Sequence, residues 1–252
     1  MKRLINVVLG VSIVILLGLG CRELYMFLNL EHENLEIQNL AIKVPSSEDS
    51  TDDWLDPNDP FNRYIDFNKL KEINKDIVGW LYVPGTKIDY PILTGSGDQT
   101  YLYKDYKGNY SYPGSIFTFA DVSLDNDDHV VFFGHNMVSR QMFGGLREYK
   151  SSKYAAKHAK AYVYTPDRTK ECDLIGSFVC YKTDDVFGLT ENEDLSSVDD
   201  WIKYINKRSM YKLDVPENAG QVFSLSTCSG YRGTSNRLVV SFSVTKEKYV
   251  LD

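Results

Sequence analysis

The chain has 252 residues, 43% of them apolar and 25% charged, enough for one sizeable domain with an appendage and a substantial core. Its formal charge is −7, and apart from Lys2 and Arg3 it holds 26 basic against 35 acidic residues. That acid excess excludes a nucleic-acid binder, which must neutralise phosphates with Lys and Arg, and gives no basis for adhesion to an anionic membrane surface.

Residues 4–20 form an apolar run broken only by Asn6, Ser12 and glycines. At roughly 17–18 residues it reaches the length needed to span a bilayer. Lys2 and Arg3 precede it, whereas Arg22 and Glu23 cancel beyond it, so the positive-inside rule places the N-terminus in the cytoplasm. No A-x-A-like cleavage site follows, which favours an uncleaved anchor. Gly18-Leu19-Gly20-Cys21 leaves lipidation at Cys21 as the alternative. On either reading everything after residue 21 lies outside.

Residues 22–43 show a loose helical pattern, and residues 45–59 carry six acids, two prolines and no base. The latter composition is that of a solvated spacer. The expected organisation is therefore an anchor over 1–21, a helical and acidic spacer over 22–60 and a folded domain over 61–252. Within the domain, Phe67, Leu70 and Ile73 predict a short helix packed on one face. Eight segments rich in β-branched and aromatic residues follow, at 77–83, 88–93, 115–119, 129–134, 160–165, 171–182, 221–227 and 237–245. Many short strands with few helices predict a mostly β protein, a closed barrel or sandwich. One insertion holds a helix, because Val198, Trp201, Ile202 and Ile205 follow i, i+3, i+4, i+7 spacing. Ser196 with Asp199, or Ser197 with Asp200, supplies its N-cap. It reads as an amphipathic cover on the barrel.

Beyond the anchor lie Cys172, Cys180 and Cys228, an odd number. Along one strand Cys172 and Cys180 stand roughly 26 Å apart, beyond the ~7 Å reach of a disulfide. Cys228 instead ends a strand beside a polar turn, Ser229-Gly230-Tyr231-Arg232-Gly233, where a thiol has access to solvent. Nucleophilic cysteine chemistry also needs a proton carrier and an oxyanion donor. His32 lies near the anchor, His158 sits among lysines as a solvated residue, and His129 reads as an ordinary surface residue. His135 follows the buried strand Val130-Val131-Phe132-Phe133 and Gly134, a rigid rim suited to acid–base work. Arg237 enters the last strand, where its permanently charged fork suits an oxyanion or a carbonyl. Arg232, in the turn between glycines, lacks that fixed backbone.

Together these residues resemble the sortase family. Ser224-Leu225-Ser226-Thr227-Cys228 with Arg237 before Leu-Val-Val is similar to the Thr-Leu-x-Thr-Cys…Arg signature, with Ser224 in place of the first threonine. Phe133-Gly134-His135-Asn136-Met137 with Met142-Phe143-Gly144-Gly145-Leu146 resembles the catalytic-histidine segment. Val78-Gly79-Trp80-Leu81, Ile88-Asp89-Tyr90-Pro91-Ile92 and Gly114-Ser115-Ile116-Phe117 add to it, and the N-terminal helices with the inserted helix point to class B.

The resemblance implies an eight-stranded sortase-type β-barrel with N-terminal helices and one inserted helix, preceded by a single transmembrane helix. It implies an extracellular transpeptidase on the membrane of a Gram-positive-type envelope. Cys228 would attack a sorting-signal threonine carbonyl of a surface protein and form a thioester. His135 would carry the proton, and Arg237 with the Ser229 backbone N–H would hold the oxyanion. A peptidoglycan precursor amine would release the product. Ser226, Thr227, Ser229 and Asp98 are the expected substrate contacts, with Asp98 orienting the site beside the histidine. No metal or cofactor is expected. Two alternatives stand beside this reading, another cysteine peptidase and a membrane-tethered extracytoplasmic binding module. The absence of a Ser-His-Gly-Cys run and the order His before Cys argue against wall-directed L,D-transpeptidases and papain-like peptidases.

Overall fold

The computed structural model describes residues 2–43, 59–97, 99–188, 192–230 and 234–250. The chain forms two compact units, Met1–Asn39 and Leu40–Asp252. The first consists of most of helix α1 (Lys2–Ala41). Among the described residues, Ile5–Ala41 is the one helical stretch long and apolar enough to cross a membrane. Ile5, Leu9, Ile13 and Leu16 on it are all exposed.

In the second unit, β1 (Ile42–Lys43) pairs antiparallel with β2 (Tyr64–Ile65). The expected short helix is α2 (Phe67–Ile73), capped by the Asp66 carboxylate accepting from the Lys69 N–H and burying Phe67 and Leu70. Eight further strands follow: β3 (Ile77–Tyr82), β4 (Asp89–Leu93), β5 (Ile116–Phe117), β6 (His129–Phe133), β7 (Lys160–Tyr164), β8 (Arg168–Tyr181), β9 (Val222–Cys228) and β10 (Asn236–Tyr249). Each overlaps one of the eight segments read from the sequence. They close into a barrel in the order β10-β8-β7-β3-β4-β5-β6-β9. Closure leaves no sheet edge to pair with other chains. Two contacts are parallel, β4 with β5 and β6 with β9.

The insertion between β8 and β9 carries α4 (Val198–Arg208). Of the two candidate caps Ser197 serves, its hydroxyl accepting from the Asp200 N–H. Asp199 and Asp200 begin the helix, and Lys207 and Arg208 end it, which complements the helix dipole. Ile202 and Ile205 bury themselves against Val131, Phe178, Cys180 and Val239, as an amphipathic cover should. Gly176 permits this approach, since a Cβ there would stand 2.6 Å from Ile205 Cγ2.

Two histidines differ from expectation. His129 is no ordinary surface residue: its ring lies 4.2 Å from that of Trp201 on α4, and Nε2 is 2.8 Å from Ser224 Oγ, itself 2.7 Å from Ser241 Oγ. Sequence periodicity could not show this, because the covering helix comes from the distant insertion. His158 is tied rather than free in solvent, with Nδ1 3.0 Å from the Pro84 carbonyl and its ring 4.2 Å from that of Tyr154. Cys172 and Cys180 are free, buried thiols on the single strand β8. Burial pushes the Cys172 thiol far up and that of Cys180 to about 12, so both stay protonated.

Desolvation lowers the His129 imidazole to about 3. A base depressed in the fold but ordinary in the unfolded chain takes up its proton first on unfolding. Its stabilising contribution is therefore complete above about pH 6.5 and is lost as pH falls from there towards 3. Calorimetric melting between pH 7.5 and 5 should show a steeper decline in the natural chain than in His129→Gln, and equal slopes would contradict the enclosed neutral imidazole.

Candidate active site

The parallel pairing of β6 with β9 runs from His129 opposite Val222 to Phe133 opposite Ser226. Both strands therefore end at the same rim, and the next residues of each enter one cleft. The Gly134 N–H donates to the Ser226 carbonyl at 3.3 Å, and Thr227 Oγ1 donates to the Gly134 carbonyl at 2.7 Å. Asn136 Nδ2 then donates to the Cys228 carbonyl at 2.8 Å. His135 thus sits between two residues bonded to the strand end that carries Cys228.

The loop after β6 folds tightly. The N–H groups of Met137 and Phe143 both donate to the His135 carbonyl at 3.1 Å, and Asn136 bridges Met142. Gly144 lets the 3-10 segment Gly144–Lys150 press on this loop, since a Cβ there would collide with the Met137 backbone. Arg147 fastens the contact, donating from Nε to the Gly144 carbonyl and from Nη2 to the carbonyls of Met137 and Val138 at 2.7 and 3.0 Å.

The His135 imidazole lies near Tyr103 and Tyr112, with centroid distances of 5.3 and 6.3 Å, nearly parallel to Tyr112. Its Nε2 is 2.9 Å from the Leu102 carbonyl oxygen. A carbonyl can only accept, so Nε2 carries a hydrogen and donates it there. His135 and Cys228 both line a cleft of about 610 Å³ with Tyr112, Asn136, Arg147 and Lys150. Cys228 is half-buried there, in contrast to the enclosed thiols of Cys172 and Cys180.

Arg237 stands opposite Cys228 on one side and opposite Cys180 on the other. The three side chains share one sheet face, because directly opposed residues point the same way. The Arg237 guanidinium donates from Nη1 to the carbonyls of Thr234 and Asn236 at 2.7 and 3.2 Å. The Ser229 N–H, expected to face an oxyanion, donates instead to the Asn236 carbonyl at 3.0 Å, which extends the β9–β10 ladder one residue past Cys228. Thr227, expected as a substrate contact, has its hydroxyl engaged by Gly134. Ser226 is buried, and its Oγ has no partner among the described residues. Asp98 and Arg232 lie outside the described residues. Asn136, Arg147 and Lys150 were not singled out by sequence reasoning. The adjacency of Asn136 to His135 was visible, but its bond to Cys228 joins residues 92 apart.

No family model matches the chain. It is 26% identical over 251 residues, 98% of each chain, to sortase B of Staphylococcus aureus (strain NCTC 8325 / PS 47). It is 31% identical over 164 residues, 63% of this chain and 65% of the other, to sortase B of Listeria monocytogenes serovar 1/2a (strain ATCC BAA-679 / EGD-e). A Staphylococcus aureus sortase B–substrate complex matches with TM-score 0.64 and 27% identity over 71% of this chain and 84% of that one. Sortase B of Bacillus anthracis in complex with AAEK1 matches with TM-score 0.60 and 28% identity, again over 71% and 84%. A closed barrel with these likenesses defines a cysteine transpeptidase of the sortase type. Within that type, the likenesses support a class B sortase.

Removing the Asn136 amide should test the bonded rim. Asn136→Ala is expected to cost about 1 kcal/mol in denaturant unfolding and to lower kcat about tenfold through misplacement of the two strand ends, with KM little changed. An unaltered kcat in the folded variant would show that this bond does not position the site.

Proposed function

We propose that Cys228 is the nucleophile of a transpeptidation that cuts a C-terminal sorting signal after threonine and transfers the protein to a peptidoglycan amine. The observation that carries this reading is the shared rim, where β6 delivers His135 and β9 delivers Cys228 to one cleft. The Cys228 sulfur attacks the threonine carbonyl carbon, the scissile C–N bond breaks, and His135 gives a proton to the departing amine. The acyl group remains as a thioester. The incoming amine then attacks the same carbon, its proton passes to His135, and the C–S bond breaks to restore the thiolate.

Arg237 is proposed to stabilise the oxyanion. It does not line the cleft itself, but its guanidinium shares the Cys228 sheet face. Its hydrogen-bond partners among the described residues are carbonyls, which a negatively charged oxygen can outcompete. The Ser229 N–H can assist only if it leaves the Asn236 carbonyl. Ser226, whose unsatisfied hydroxyl is buried and outside the cleft lining, can contact a substrate only if the rim opens. The exposed apolar helix α1 supports a membrane anchor with the cationic tip inside and the barrel outside. The residues read as 22–60 would act as its spacer, ahead of a catalytic domain over 61–252.

Cys228→Ala should abolish peptide cleavage and any acyl adduct on the protein while leaving the fold intact by circular dichroism. Persisting turnover in that variant would end the proposal. Arg237→Ala should lower kcat/KM roughly 10²–10³-fold. Arg237→Lys should recover only part of this, because an ammonium lacks the planar fork. An Arg237→Ala enzyme within threefold of the natural one would place the oxyanion donor elsewhere.

A further inference from the structure

The cleft that holds Cys228 and His135 carries charge of one sign. Its described lining includes two cations, Arg147 and Lys150, and neither aspartate nor glutamate, in a chain whose formal charge is −7. Several cations elsewhere on the domain pair with carboxylates: Arg140 with Glu148, Lys160 with Glu171 and Asp173, Arg168 with Glu247, and Arg208 with Asp184. Among the described residues Arg147 donates to backbone carbonyls and to no carboxylate. Lys150 is exposed, and its Nζ lies 3.4 Å from Ser229 Oγ, the hydroxyl next to Cys228, with no carboxylate at hand among the described residues. An ammonium and a hydroxyl converging from two walls of a cleft, backed by a fixed guanidinium, form a set of donors matched to a carboxylate.

We propose that Lys150 and Ser229, backed by Arg147, form a carboxylate-binding subsite of the Cys228 cleft that receives an acidic group on a peptide reacting there. This deepens the proposed function and rests on it. The carboxylate belongs either to the peptide that is cut or to the peptide that supplies the accepting amine. An exposed ammonium acts mainly through a salt-screened attraction, so the subsite raises the local concentration of acidic ligands more than it alters the chemical step.

The test uses the full chain in detergent micelles and compares alkylation of Cys228 by iodoacetate and by iodoacetamide. Both reagents report the same thiolate, so the ratio of their rates isolates the effect of the reagent's charge. Lys150→Gln should lower the iodoacetate-to-iodoacetamide ratio about threefold and Lys150→Glu about tenfold, with Lys150→Arg near the natural value. These differences should shrink in 1 M sodium chloride, where the screening length is about 3 Å.

Protection of Cys228 then separates the two sources. Triglycine is compared with triglycinamide, and donor peptides carrying glutamate beyond the cut bond are compared with their glutamine counterparts. The pair that differs in the natural chain and no longer differs in Lys150→Gln identifies the ligand. A ratio unchanged across the Lys150 variants, or protection blind to charge in both pairs, overturns the subsite while leaving Cys228 as nucleophile. If Cys228 reacts no faster than Cys172 and Cys180 with either reagent, the nucleophile assignment fails and the subsite with it.

Discussion

The parallel pairing of β6 with β9 is the constraint on which the site depends. These strands come from segments about 90 residues apart, and parallel neighbours need a long crossover rather than a tight turn. The intervening chain uses that length to build β7, β8 and α4. Because the pairing is parallel, both strands reach the same end of the barrel together, which an antiparallel pair could not do. A slip of one residue would reverse the side-chain alternation and carry Cys228 away from the face it shares with Arg237. The buried apolar run of β6 and the seven-residue β9 against β10 make such a slip costly.

The same strand pair explains why one thiol among several is available for chemistry. Cys180 and Cys228 flank Arg237 on neighbouring strands and point to one face. Helix α4 covers that face at Cys180, whereas the end of β9 opens into the cleft. Desolvation holds the covered thiol protonated at neutral pH, and the open one faces a cleft that His135 also lines. Difference in cover, not in sequence neighbourhood, separates an enclosed cysteine from an accessible one.

The cleft also shows how hydrogen bonds divide between architecture and function. Thr227, Asn136 and the Ser229 N–H all act within the rim, bonding to the carbonyls of Gly134, Cys228 and Asn236. Buried polar groups need such partners, and here they fix the two strand ends that lead to His135 and Cys228. Lys150 Nζ is exposed in the cleft with only the Ser229 hydroxyl as its partner among the described residues, whereas Ser226 Oγ is buried without a partner and Arg237 is held by the Thr234 and Asn236 carbonyls. The end of β9 holds Cys228, and the loop bonded to it holds His135.

The sequence by itself determined the elements and pointed to the candidate site residues. Eight β-rich segments, the short helix from Phe67 and the amphipathic helix around Trp201 follow from local pattern, because period-2 and period-3.6 burial are written residue by residue. Cys228, His135 and Arg237 were legible for a different reason: the motifs around them resemble those of sortases. Tertiary structure decided what depends on distant neighbours. It covered His129 with Trp201, tied His158 to Pro84, engaged the Thr227 hydroxyl and the Ser229 N–H in the rim, and brought Asn136 and Lys150 to residues near Cys228. Spacing along a chain specifies which face of an element a side chain occupies, but its partner across the barrel is set only when the strands close in register.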